Sequence, residues 1–116
     1  MTDTARTCVN AICAAMAGAE VSSPFGPDHD VWKVGGKIFA IMGAADTGVS
    51  IKCRDIEAAS MLIESGAAIK APYLHRSWAL IPFGIMPDEE LAQRIALSWR
   101  IIAGSLPKKV QAMLGL

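Results

Sequence analysis

The chain has 116 residues, with 11 Lys and Arg against 11 Asp and Glu and a formal net charge of zero. This length predicts a single domain over residues 1–116, large enough to bury a hydrophobic core without disulfides or metals. The charge balance excludes a strong overall attraction to nucleic acid or to an anionic membrane, so any such binding must come from local clustering.

The first predicted element is an amphipathic helix that starts at Thr2 or Thr4, whose hydroxyl can cap it, and ends at Gly18. Its apolar residues repeat at helical spacing and predict one buried face, formed by Val9, Ile12, Cys13 and Met16. Small residues around Ala17 imitate a signal-peptide cleavage site, but Asn10 interrupts the apolar run, so we expect the helix to be retained. No apolar run approaches the ~20 residues of a membrane helix, and we expect a soluble protein with no membrane partner.

The three cysteines, Cys8, Cys13 and Cys53, lack the spacing of metal ligands or of a disulfide framework. They are typical of reduced thiols that pack as small apolar groups, which predicts a cytoplasmic protein. The two histidines, His29 and His75, are too few and too far apart for a metal cluster. The sequence contains no nucleophile with an evident base and no phosphate loop, so we expect no catalysis, no cofactor and no metal.

The remaining patterns predict an α+β domain. Strands are expected at residues 21–25, 31–34, 37–42, 49–53, 69–73 and 78–83. Helices are expected from a cap at Asp55 to Gly66, from Pro87 to Gly104, and from a cap at Ser105 to Leu114.

A hairpin with Gly35 and Gly36 in its turn joins the second and third strands, because glycine accepts the positive φ of a two-residue loop. The expected cross-strand pairs are Val34 with Lys37, Lys33 with Ile38, and Trp32 with Phe39. The expected core-facing residues are Trp32, Val34, Phe39, Ile41, Val49, Ile51 and Cys53. The expected outward-facing residues are Val31, Lys33, Ile38, Met42, Ser50 and Lys52.

The segment before the hairpin reads Pro24, Phe25, Gly26, Pro27 and Asp28. We expect Asp28 to form a turn by bonding to backbone amides. This segment and the Gly35, Gly36 and Phe39 hairpin resemble the signature of the MmcQ/YjbR family of small bacterial proteins. Three later segments agree with the family pattern in order: 49–55, 72–78 and 106–109.

The resemblance implies a fold similar to the bacterial frataxin CyaY, an antiparallel β-sheet with helices packed mainly on one side. It also implies DNA binding, the role with which the family is labelled. Frataxins hold iron on carboxylates along the first helix, but the first helix here has only Asp3 at its start and Glu20 beyond its end. The resemblance therefore carries the fold and not the iron site.

The candidate nucleic-acid-binding residues are basic and aromatic residues of the outer sheet face and the adjoining turn: Lys33, Lys52, Lys70, His75, Arg76 and Trp78. Basic side chains there can meet phosphates, and the indole can stack on a base. The alternative is a solvated face on which lysines protect exposed strands from aggregation.

A second candidate function is a protein-interaction or homodimer module. The expected outer face mixes Lys33 with Ile38 and Met42, which fits a protein partner as well as DNA. The long helix from Pro87 is apolar over a wide arc, so it is either buried on two sides or contacts a partner.

Overall fold

The structure, a computed structural model, describes residues 4–116, which form six strands and four helices. The strands are β1 (Ala19–Ser22), β2 (Asp30–Val34), β3 (Lys37–Met42), β4 (Gly48–Lys52), β5 (Ile69–Lys70) and β6 (Trp78–Pro82). The helices are α1 (Ala5–Ala14), α2 (Ile56–Glu64), α3 (Asp88–Gly104) and α4 (Lys108–Met113). The strand order is β1-β2-β3-β4-β6-β5, and every neighbouring pair is antiparallel. The predicted α+β class with an antiparallel sheet is confirmed.

Side-chain caps start the first two helices. Thr4 Oγ1 accepts a hydrogen bond from the Thr7 amide at 3.0 Å, and Asp55 Oδ1 accepts one from the Ala58 amide at 2.7 Å. Thr2, the alternative cap, lies outside the described residues. The predicted cap of the last helix is wrong, because the Ser105 hydroxyl donates to Ile102 at 2.6 Å and closes α3 instead.

Two predicted strands differ in the structure, for reasons of local backbone geometry. The first lies at Ala19–Ser22 rather than at 21–25, because the chain turns where the Gly26 amide donates to the Ser23 carbonyl. β5 has two residues instead of five, because Pro72 has no N–H to donate and Tyr73 has a φ of +65°.

A β-bulge at Phe39 changes the predicted faces of β3. The pairs Val34 with Lys37 and Lys33 with Ile38 are confirmed, but Trp32 lies opposite Ala40. Because one extra residue reverses the alternation beyond it, two assignments are wrong. Ile41 pairs with Val31 on the outer face, and Met42 is fully buried.

The core lies between the sheet and the helices. Its largest fully buried side chains include Val9, Val34, Phe39, Met42, Val49, Ile51, Ile81 and Ile95. α3 crosses β3 and β4 and also contacts α1, and the Trp99 indole donates to the Ala17 carbonyl, just after α1, at 3.0 Å. The wide apolar arc of this helix is therefore explained by burial on two sides.

The hairpin turn holds α4 in place. Gly35 and Gly36 both have positive φ, as the two-residue turn requires. A side chain at Gly35 would lie 2.6 Å from Leu106 Cδ1, so the bare backbone lets Leu106 pack on the turn. α4 begins two residues after Leu106 and thus lies beside the hairpin end of the sheet.

No helix within residues 4–116 combines the length and the hydrophobicity needed to cross a bilayer.

Candidate functional site

The antiparallel topology gathers most of the 11 Lys and Arg residues at one end of the sheet. We call it the basic end: the end with the hairpin turn, where β2 and β4 stop and β3 and β6 start. The cations that lie there are Lys33, Lys37, Lys52, Arg54, Lys70, Arg76, Arg94, Lys108 and Lys109. The carboxylates beside them are Glu20, Asp55 and Glu57. The zero net charge thus conceals a local excess of positive charge.

The opposite end of the sheet carries Asp28, Asp30 and Asp46, which surround a single arginine, Arg6. Its guanidinium lies 2.8 Å from the Asp30 carboxylate and 3.3 Å from the Asp46 carboxylate. The Arg6 hydrogen bond, more than any other interaction, holds the pKa of Asp30 below its ordinary value. The Asp30 and Asp46 carboxylates of this end are thus paired with Arg6, whereas most cations of the basic end have no ion-pair partner among the residues described.

A hydrogen-bonded chain links three residues of the basic end. Lys52 Nζ donates to Ser77 Oγ, which lies 2.8 Å from His75 Nδ1. The Ser77 amide also donates to His75 Nδ1 at 3.2 Å, so this ring nitrogen acts as an acceptor. Sequence reasoning missed the buried Ser77, for which the only signal was a small polar residue just before a strand.

The candidate residues of the basic end do not all share one face. Lys52 lies opposite Trp78 on the outer face, and Arg76 is exposed in the preceding turn. Lys33 is on the same face but two strands away, about 10 Å across the sheet, opposite Glu20. Lys70 pairs with Ala79, which places it on the helix-covered side at the sheet edge. The structure therefore brings Lys52, His75, Arg76 and Trp78 together and leaves Lys33 and Lys70 at the margins.

Two arginines of the basic end are not among the candidate binding residues predicted from the sequence. Arg54 follows β4 and Arg94 lies on α3, and both line a cavity beside Cys53. Strand periodicity does not predict that these two arginines meet. Arg94 reaches this end of the sheet only because α3 crosses the sheet.

The outer face of the sheet carries an apolar groove of about 730 Å³, which we call the outer-face groove. Its floor consists of Ile38, Ile41, Ser50 and Leu80, and its walls are the loops 25–29, 43–48 and 72–74. Phe25, which is 63 % exposed, and the fully exposed Tyr73 stand at its rim. The Ile41 that the bulge turns outward thus contributes directly to this surface.

His29 lies in the wall of the groove with an unsatisfied nitrogen. Its Nδ1 atom is buried and has no hydrogen-bond partner among the residues described. The ring packs edge-on against Phe25, with the ring centres 6.1 Å apart.

Asp28 has a different role from the one predicted. Its carboxylate makes no hydrogen bond to backbone amides within residues 4–116; instead its carbonyl accepts one from Arg6 Nη2 at 2.6 Å. The turn is closed by backbone bonds, such as the one from the His29 amide to the Gly26 carbonyl. The Pro24–Asp28 segment is therefore tied to α1 through Arg6.

Cys13 and Cys53 are buried, Cys8 is partly buried, and none of the three forms a disulfide. Burial raises the pKa of the Cys13 thiol to about 12, which keeps it protonated and unreactive at neutral pH. Across residues 4–116, no group of three or more His, Cys, Asp and Glu side chains is placed to hold a metal ion.

Comparison with protein-family models identifies the family of this chain. A family model described as YjbR matches residues 14–101, more than half of the sequence. The chain belongs to the YjbR family. The family resemblance identified from the sequence motifs is thereby confirmed.

The crystal structure of Deinococcus radiodurans protein DR2400, a DUF419 protein, has the same fold as this YjbR chain. The two superpose with a TM-score of 0.84 at 20 % sequence identity, over 97 % of this chain and 88 % of DR2400. No curated protein matches the sequence. These comparisons establish YjbR membership and the fold. The candidate functional residues follow from the geometry of the chain described above.

Proposed function

We propose that this chain is a non-enzymatic DNA-binding protein that contacts the phosphate backbone through its basic end. The observation that carries the proposal is the separation of charge along the sheet. Cations collect at the hairpin end, where only Arg54 forms an ion pair among the residues described, while the Asp30 and Asp46 carboxylates share Arg6 at the other end. A local positive field of this kind attracts a polyanion even when the net charge is zero.

The side chains at the basic end differ in what they offer to DNA. Arg76 is exposed in the turn before β6 and makes no ion pair among the residues described. Lys33 is partly exposed and faces one carboxylate, Glu20, across the strand pair. Trp78 is half-buried, so its exposed part can cover a base or sugar edge without full stacking. Such contacts position a phosphate backbone and do not read a base sequence.

Fluorescence anisotropy of short duplex and single-stranded DNA, titrated with the protein at several salt concentrations, tests this proposal. We expect micromolar or tighter binding at low salt that weakens steeply as salt rises, because bound phosphates release counterions. In the Lys33→Gln, Arg76→Gln double variant, the slope of log affinity against log salt should fall by about 2, about one for each lost contact.

Arg100→Gln is the control, because Arg100 is an exposed arginine of α3 that is not among the cations proposed to contact DNA. Its slope should equal that of the unaltered protein. If no DNA binds at low salt, or if both variants lower the slope alike, DNA binding through the basic end is wrong.

A second candidate function, self-association, is favoured by the outer-face groove. The exposed Phe25 and Tyr73 at its rim are suited to enter the groove of a second copy, since a two-fold interface uses the same surface of both subunits. Such insertion would bury two large aromatic side chains together with the Ile38 and Leu80 floor.

Light scattering coupled to size-exclusion chromatography, over a range of protein concentrations, decides between monomer and dimer. We expect a dimer that Tyr73→Ser and Ile38→Glu each convert to a monomer, because one removes the inserted ring and the other charges the groove. Met61→Ser, at an exposed methionine of α2, should leave the mass unchanged. A monomeric mass for the unaltered protein at every concentration would contradict self-association.

A further inference from the structure

A cavity of about 290 Å³ lies where the end of β4 meets the start of α2 and the middle of α3. One part of its wall is apolar, formed by Ala58, Leu97 and Ile101. The other part is cationic and is formed by Arg54 and Arg94; Lys52, whose side chain lies on the outer face of the sheet, also lines the cavity. The cavity is separate from the outer-face groove, with which it shares no lining residue.

The positive charge of this cavity is poorly neutralised by the protein. Arg94 is half-buried, yet it takes part in none of the ion pairs or side-chain hydrogen bonds found within residues 4–116. Lys52 donates to Ser77, which carries no charge. Arg54 lies 3.6 Å from Asp55, but both of these side chains are mostly exposed. A half-buried guanidinium without a counterion is unfavourable, and a bound anion would supply the missing partner.

The backbone at the start of α2 is not the source of anion affinity. Asp55 caps this helix, and its carboxylate already accepts the Ala58 amide at 2.7 Å. The side-chain cations do act inside the cavity, however. Burial raises the pKa of the Cys53 thiol in its wall, the charges of Arg94 and Lys52 oppose that rise, and the charge of Asp55 adds to it.

We propose that this cavity binds a small organic anion, with a carboxylate or phosphate head between Arg94 and Arg54 and a short apolar body against Leu97 and Ile101. Arginine suits such a head because its planar guanidinium donates two parallel hydrogen bonds to paired oxygens. The volume lies at the lower limit of ligand sites, which restricts the body to a few carbon atoms. This inference does not rest on DNA binding.

Titrations followed by amide NMR shifts of Cys53, Ala58 and Leu97, at constant ionic strength, provide the test. The probes are hexanoate and hexyl phosphate, which compare the two heads, with 1-hexanol and inorganic phosphate as controls. We expect at least one of the two organic anions to bind with a dissociation constant on the order of 0.1–1 mM. 1-Hexanol, which lacks the charge, and inorganic phosphate, which lacks the apolar body, should both bind at least about tenfold more weakly.

Arg94→Gln should weaken binding of the organic anion about tenfold or more, because a charge-assisted contact is lost. Arg54→Gln is a second test at an exposed side chain whose replacement does not threaten folding. Arg100→Gln on the same helix should leave the affinity unchanged. Equal binding of 1-hexanol or of inorganic phosphate, or unchanged affinity in both cavity variants, would overturn the proposal. Binding of the organic anion by a protein that binds no DNA would leave this inference standing and remove only the DNA proposal.

Discussion

Replacing Arg6 with Met is expected to lower the free energy of unfolding by about 3 kcal/mol, because it leaves several partly buried acceptors without a donor. The guanidinium, whose side chain is 19 % exposed, joins α1 to two loops and two strands. It donates to the carboxylates of Asp30 and Asp46 and to the carbonyls of Asp28, Met42 and Gly43. Without it, the Asp30 carboxylate keeps the Asn10 side-chain amide as its one donor within residues 4–116.

Urea unfolding monitored by circular dichroism measures this loss. Arg6→Lys should recover only a small part of it, because a single ammonium cannot reach acceptors on several segments. The matched control, Arg100→Met, removes an exposed arginine and should change the unfolding free energy by less than about 0.5 kcal/mol. Equal midpoints for Arg6→Met and for the control would show that the Arg6 network contributes nothing to stability.

The same network predicts a pH dependence. The pKa of Asp30 is lowered below 3.8 in the folded state, chiefly by its hydrogen bond from Arg6. The stabilisation is therefore fully present above pH 3.8 and is lost as the pH falls through the lower folded-state pKa. The difference in unfolding free energy between the unaltered protein and Arg6→Met should be constant near neutrality and shrink at acid pH. A difference that grows on acidification would contradict this linkage.

Replacing Ser98 with Ala is expected to cost about 2–4 kcal/mol, because it leaves two buried backbone groups without partners. Ser98 lies fully buried on α3, where its hydroxyl donates to the Phe39 carbonyl at 2.7 Å and accepts from the Lys52 amide at 2.8 Å. Phe39 is the bulge residue, and the described register between β3 and β4 pairs only Ala40 with Ile51 and Ile41 with Ser50. The hydroxyl thus completes the sheet where the bulge interrupts it.

Hydrogen exchange distinguishes the loss of the Ser98 hydrogen bonds from a general loss of core packing. In Ser98→Ala the Lys52 amide should exchange much faster than the amides of Ile51 and Val49, while urea unfolding reports the global loss. Ser60→Ala, at an exposed serine of α2, is the control and should be neutral or slightly stabilising. A Lys52 amide that stays protected in Ser98→Ala would mean that another group replaces the hydroxyl.

The cationic cavity and the basic end overlap at Lys52, Arg54 and Arg94, so an anion in the cavity would reduce the positive field offered to DNA. Both proposals arise from one feature, a set of cations of which only Arg54 forms an ion pair within residues 4–116. The outer-face groove is a separate apolar surface. A partner bound in the groove need not affect the binding of DNA or of the small anion.

Local patterns in the sequence were sufficient for most elements and for the family. The caps at Thr4 and Asp55, the glycine hairpin and the long helix from Pro87 follow from residues near each other in the chain. These features depend on helix propensity, capping and turn geometry, which act over a few residues. The motif around Pro24–Asp28 likewise identified the family, although it did not reveal that Asp28 acts through its backbone carbonyl.

The bulge, the groove and the basic end depend on contacts between residues that are distant in the sequence. The bulge at Phe39 is stabilised by Ser98, which is 59 residues away, and it alone determines that Ile41 lines the groove while Met42 enters the core. The basic end exists because antiparallel strands and the crossing α3 bring distant cations together, whereas composition records only a net charge of zero. Sequence periodicity describes one element at a time, and the candidate sites of this protein lie where several elements meet.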